Sequence, residues 1–172
     1  MKIMKHIKKF SEIGMSTKDK QKEINVSEAF HLWNHLVTRY SIIQTTEIMG
    51  NYARDMDLKF IINAGVRALK DQVKVLEKEM LSYGIPLPIR PPKQMKVASN
   101  MEIYSDRYIY RRILRGIQSY LPTHTAAFVH STSPKIRELF MHALIEEMKH
   151  YDKFMEYGKL KGYVMRPPVY KP

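Results

Sequence analysis

The sequence predicts an all-α fold, an antiparallel four-helix bundle built from two similar helical hairpins. Three observations carry that prediction. Apolar residues recur at three- and four-residue spacing in four long stretches. No stretch shows the strict alternation of a half-buried strand. The second half of the chain also repeats the pattern of the first, down to an Arg-Pro-Pro sequence after each hairpin.

The 172 residues are enough for one domain with a sizeable core. Residues 1–24 are basic, contain Gly14 and STKDKQKE, and read as a loosely attached N-terminal arm; residues 25–172 form the bundle domain. The first long helix follows in NVSEAFHLWNHLVTRYSIIQTTEIMG, with Ser27 as its expected N-cap and Glu28 favourable in the first turn. Phe30, Trp33, Val37 and Tyr40 make its helical stripe, and Gly50-Asn51 mark its end. The second starts near Asp55 or Asp57, carries Leu58, Ile61, Ile62, Val66, Leu69, Val73, Leu76 and Met80 on one face, and closes at Gly84. IPLPIRPPK, residues 85–93, is too rich in proline for a helix or a central strand and must be an extended crossover. QMKVASNMEIY, just beyond it, fits no single element. The third helix is predicted from Ser105 or Asp106 to about Thr132, kinked or interrupted at Pro122. Ser133-Pro134 then starts the fourth, which carries Ile136, Leu139, Phe140, Ala143, Leu144, Glu147, Tyr151 and Phe154 and ends near Gly162. Two hairpins joined by one long connection is the ferritin-like layout.

Composition narrows the function. There is no cysteine, which excludes disulfides, zinc-thiolate sites and thiol catalysis. With 29 Lys and Arg against 17 Asp and Glu, the formal charge is +12, which favours acidic partners. The basic residues are scattered rather than gathered on one reading helix. No Gly-rich phosphate loop, nucleophile elbow or nucleic-acid signature is present, so no specific nucleic-acid partner is expected. No apolar run approaches the roughly 18–20 residues of a membrane span. MKIMKHIKKFSEIGM lacks the apolar core of a signal peptide, so synthesis in the cytoplasm without export is expected.

Laying Gly84 on Gly162 exposes the repeat. Leu58 meets Ile136, Ile61 meets Leu139, Ile62 meets Phe140, Val66 meets Leu144 and Leu76 meets Phe154; Ser27-Glu28-Ala29-Phe30 meets Ser105-Asp106-Arg107-Tyr108. Arg90-Pro91-Pro92 and Arg166-Pro167-Pro168 follow the two hairpins.

One stretch looks like chemistry. In IEEMKHYDKF, Glu147 and His150 form the Glu-x-x-His pair which, supplied by two helices, builds a dinuclear carboxylate site. The repeat puts Leu69 and Gln72 at the matching positions, and leucine cannot bind a cation while glutamine offers only a neutral oxygen. The symmetrical site is broken. A mononuclear site is the alternative: antiparallel geometry brings His35 to the depth of Glu147 and His150, with His31 one turn away, a set suited to a single iron, manganese or zinc ion. His124, His130 and His142 find no partner by spacing. Trp33, Tyr40, Tyr104, Tyr108, Tyr110 and Tyr120 read as packing residues, and the 12 methionines as adaptable core.

These motifs, in order, resemble a family. The closing GKLKGYVMRPPVYKP resembles the end of sequences of the spore coat protein F type. Glu28-Ala29-Phe30-His31-Leu32-Trp33, Gly84-Ile85-Pro86-Leu87-Pro88 and Lys161 to Pro168 are similar to a related ferritin-like family of spore-forming bacteria, over roughly residues 25–172. The resemblance implies a ferritin-like bundle in the spore coat, a structural role with other coat proteins or acidic surfaces as partners, and no established catalysis or cofactor. It also implies a histidine near position 72, where this chain has Gln72. The expected function is a non-enzymatic structural or interaction protein, able to form a homodimer through leftover apolar strips. The alternative is a protein holding one metal ion through Glu147, His150 and His35.

Overall fold

Four of the five described helices start where a short polar side chain accepts from a free backbone N–H group. The computed structural model describes residues 14–92, 104–165 and 167–168. Its helices are α1 (Thr17–Lys22), α2 (Val26–Tyr52), α3 (Met56–Ser82), α4 (Asp106–His130) and α5 (Pro134–Leu160). Residues 1–13 of the expected arm, the stretch 93–103 and Arg166 lie outside the described residues.

The N-cap of α2 is Asn25 rather than Ser27. Its side chain accepts from the Glu28 N–H at 2.8 Å, and the Glu28 carboxylate accepts from the Asn25 N–H at 2.7 Å, a reciprocal capping box that an isolated serine does not offer. Asp55 caps α3 through the N–H groups of Asp57 and Leu58, and Ser105 caps α4 through Tyr108. Ser133 precedes α5 with Pro134 at the first helical position. α4 is one continuous helix through Pro122. That proline is exposed, so the Gln118 carbonyl left by its missing N–H lies on the solvent side, where water can satisfy it. Part of the expected arm forms α1, and Gln21 Nε2 donates to the Tyr83 carbonyl at 2.9 Å.

The repeat read in the sequence is present in three dimensions. With Gly84 laid on Gly162, Met56 falls on Pro134, Ser82 on Leu160, Tyr52 on His130 and the C-cap Ala53 on the C-cap Ser131. Gly84 and Gly162 both take the left-handed conformation, with φ of +67° and +68°. The N–H of Ile85 bonds the Met80 carbonyl at 2.9 Å and that of Tyr163 bonds the Gly158 carbonyl at 2.8 Å, the same helix-ending motif twice. α2 pairs with α3 and α4 with α5; α2 also packs along α4, while α3 and α5 approach each other less.

Two carboxylates hold the hairpins together, and they are repeat equivalents. Glu28 Oε1 accepts from the N–H groups of Thr132 and Ser133, at 2.8 and 2.6 Å, in the turn of the second hairpin. Asp106 accepts from the N–H groups of Arg54 and Asp55, at 2.7 and 3.1 Å, in the turn of the first. Each charge therefore satisfies donors that the opposite hairpin leaves unpaired where one helix ends and the next begins.

The apolar core lies in two clusters at opposite ends of the bundle. One contains Leu32, Leu36, Tyr40, Leu76, Met80 and Phe140; the other contains Leu58, Ile62, Ile109, Tyr110, Phe154 and Tyr157. The inward face of α3 is as expected, with Leu58, Ile62, Val66, Val73, Leu76 and Met80 buried. The face of α2 is not. Of the expected stripe only Tyr40 is buried, while Phe30 and Trp33 are 57% and 41% exposed. The buried face is instead a pair of adjacent rows: Leu32, Leu36 and Tyr40 beside His31, His35 and Arg39. Polar residues take half the inward surface, so an apolar count settles on the wrong side of the helix.

The equivalent clusters fill their space differently. Leu32 and Met80 in the first correspond to Tyr110 and Gly158 in the second. A Cβ on Gly158 would overlap the Tyr110 phenol, so the tyrosine is accommodated only because the helix opposite has no side chain there. Gly158→Ala is expected to destabilise the fold by about 2 kcal/mol through overpacking, despite alanine's better helix propensity. Adding Tyr110→Leu, the residue the first half uses, should recover most of that loss. Urea unfolding of both variants measures it, and an additive pair would disprove the contact.

Candidate functional site

Between the two apolar clusters lies a polar layer. Arg39 of α2, Tyr120 and His124 of α4 and Glu147 of α5 meet there, all buried, Arg39 being 1% and Glu147 5% exposed. Arg39 Nη2 donates to Glu147 Oε2 at 2.7 Å, a buried ion pair. The same nitrogen lies 2.9 Å from His124 Nε2. A guanidinium can only donate, so His124 Nε2 accepts and the ring is neutral with its proton on Nδ1. Its 3.7 Å separation from Glu147 Oε2 is therefore a contact and not a second hydrogen bond. The Arg39 guanidinium also lies 4.2 Å from the centroid of the Tyr120 ring, a cation–π contact in a site shielded from water.

The layer continues along α2. His35 is buried, donates from Nδ1 to the His31 carbonyl at 2.8 Å, and packs its ring 4.6 Å from Phe140 and 5.1 Å from His124. His31 Nε2 meets His130 Nδ1 at 3.2 Å. Burial, reinforced by the neighbouring His124, holds His35 down to about 3. Burial also lowers His124, outweighing the pull of Glu147, and lowers His31, with His130 adding to the effect. For Glu147, burial works upward, but the Arg39 guanidinium bonded to it outweighs that and keeps the carboxyl below its ordinary value.

Beside this layer is a cavity of about 500 Å³ reached by all four long helices. Its position follows from the repeat. Arg39 corresponds to Ile117, Tyr120 to Ile42, His124 to Thr46, Glu147 to Leu69 and His35 to Ile113, and every one of those counterparts lines the cavity. One half of the middle of the bundle is filled by a polar cluster; the other half has mostly apolar side chains and stays hollow.

The residues expected to hold a metal are distributed as follows. Glu147 and His150 both reach the cavity wall, His150 half-buried. His35 faces inward but lies on the other side of the polar layer, among His31, Tyr120 and Phe140, and is not part of that wall. Among the described residues, no three His, Cys, Asp or Glu side chains come together as a cation site. The donors present do not fit a metal ion, because the Glu147 charge is already neutralised by the Arg39 guanidinium, a cation supplied by the chain itself. Sequence spacing passed over Arg39 and found no partner for His124 or His130, which the structure supplies as Arg39 and His31. The one available signal was the four-residue recurrence His31, His35, Arg39 beside Leu32 and Leu36.

A family model described as "Protein of unknown function (DUF3231)" matches residues 12–172. The chain belongs to this family. Among solved structures, it is similar to that of a candidate spore coat protein from Bacillus halodurans C-125, with a TM-score of 0.81 and 23% identity over 87% of this chain and 96% of that one. It is also similar to a conserved hypothetical protein from Mycobacterium tuberculosis, with a TM-score of 0.65 and 14% identity over 77% of this chain and 98% of that one. At these identities the likeness is one of fold. No curated protein matches the chain. No helix among the described residues is long and apolar enough to cross a membrane.

Two measurements test the polar layer. Glu147→Leu alone leaves Arg39 buried without its anion and is expected to cost about 3–5 kcal/mol, whereas Arg39→Met with Glu147→Leu should restore stability to near the parent value. Chemical unfolding of the double-mutant cycle decides, and single and double variants equally unstable would refute the pairing. The second measurement is stability against pH. In the folded chain His35, His124 and His31 bind protons only below the ordinary value of 6.5, so between about 6.5 and about 3 the unfolded chain holds more protons than the folded one. Stability is therefore full above about 6.5 and falls as pH drops through that window. Glu147, depressed when folded, adds a loss of the same sign at the acid end. The urea midpoint should decline steadily below about pH 6.5, and less steeply in His35→Phe.

Proposed function

We propose that this protein is a non-enzymatic structural component of the bacterial spore coat, acting by binding other coat proteins. The observation that carries this reading is the likeness in fold, over nearly the whole of both chains, to the candidate spore coat protein of Bacillus halodurans. The resemblance of the closing residues 158–172 to sequences of the spore coat protein F type supports it. Arg39 and Glu147 satisfy each other in the interior, so Glu147 is held as an ion pair and not as a free base or ligand. A single iron, manganese or zinc ion on Glu147, His150 and His35 is the weaker reading, because the three side chains do not share one site.

The charge of +12 points to acidic partners. Arg90 of the first Arg-Pro-Pro is occupied by Glu77 of α3, 2.5 Å away, which leaves other surface cations for that role. A fluorescent fusion is expected to collect at the surface of the developing spore. The purified protein is expected to co-sediment with isolated coat material at low ionic strength and to be released at about 1 M salt, where the screening length falls to about 3 Å. A fusion that stays dispersed in the mother cell would overturn the coat assignment. Retention unchanged by salt would overturn its electrostatic basis.

A further inference from the structure

The cavity invites a ligand. Protein interiors are normally packed to near crystal density, and about 500 Å³ lies within the range of small-molecule sites. Its walls are largely apolar, with Ile42, Met49, Ile61, Leu69, Ile113 and Ile117 supplied by three helices. The space is kept open by small residues, among them Ala64, Gly65 and Ala68 of α3 and Gly116 of α4. A Cβ on Gly65 or Gly116 would meet nothing within 4 Å, so neither glycine is required by a close contact, and alanine would make the better helix.

The rim has one sign of charge. Arg112 and Lys153 are both exposed there, and neither makes an ion pair or side-chain hydrogen bond among the described residues. The one carboxylate that reaches the cavity, Glu147, is neutralised from behind by Arg39. An apolar chamber with an uncompensated cationic mouth is complementary to a molecule with an apolar tail and an anionic head.

We propose that this cavity binds a single-chain fatty acid, its acyl chain between the helices and its carboxylate at Arg112 and Lys153. Binding of this kind is independent of whether the protein reaches the spore coat.

The test uses the full chain and laurate below its micellar concentration, followed by equilibrium dialysis and by the shift in melting temperature. One saturable site and a raised melting temperature are expected. Gly65→Leu and Ala68→Phe place side chains in the chamber; each should weaken laurate at least about tenfold while circular dichroism shows the helices intact. Arg112→Gln with Lys153→Gln should weaken laurate about tenfold and leave dodecanol binding unchanged. Absence of saturable laurate binding overturns the proposal, as does full binding by the folded filling variants. Equal binding of dodecyltrimethylammonium, or laurate binding unaffected by loss of the two cations, overturns the anionic head group.

Discussion

Two buried or half-buried carboxylates set the frame on which the rest of this bundle depends. Glu28 and Asp106 each stand in the first turn of one hairpin and accept backbone N–H groups from the helix–helix turn of the other. Those N–H groups have no helical acceptor, so the contacts are directional as well as charged. A slide of one hairpin along the other would break both at once. With that register held, α2 lies along α4, and equivalent positions of the two halves come to equivalent depths.

Within a nearly symmetrical frame the contents of the two halves have diverged. At one end a tyrosine lies against a glycine where the other end uses leucine and methionine. In the middle, Arg39, His124 and Glu147 occupy the space for which the other half supplies Ile117, Thr46 and Leu69. A buried ion pair adds little stability compared with well-packed apolar residues, but separating its members is expensive. The polar layer is therefore costly to break while adding little net stability of its own. On the other side, mostly apolar side chains leave the chamber open.

The Glu-x-x-His spacing shows how far a local motif reaches. Glu147 and His150 do lie near one another on the cavity wall, as a helix requires. What Glu147 does there is decided by Arg39, which stands 108 positions earlier in the chain. A carboxylate next to a guanidinium is an ion pair; the same carboxylate next to imidazoles is a ligand. Spacing within one helix cannot distinguish the two.

What the sequence determined by itself was local: four long helices, their polar caps, the left-handed glycines at Gly84 and Gly162, the extended crossover and the repeat. Each depends on residues within about one or two helical turns, where backbone geometry dictates the pattern. It failed locally where a better cap stood two positions earlier, at Asn25, where part of the expected arm forms a short helix, and where an exposed proline proved compatible with a continuous helix. The tertiary structure alone decided which face of α2 points inward, because that face is half polar and apolar periodicity selects the side bearing Phe30 and Trp33. It alone brought Arg39 onto Glu147, His31 onto His130 and the small residues of α3 around an open chamber. Those are contacts between helices, set by how whole faces pack against each other, and no local spacing encodes them.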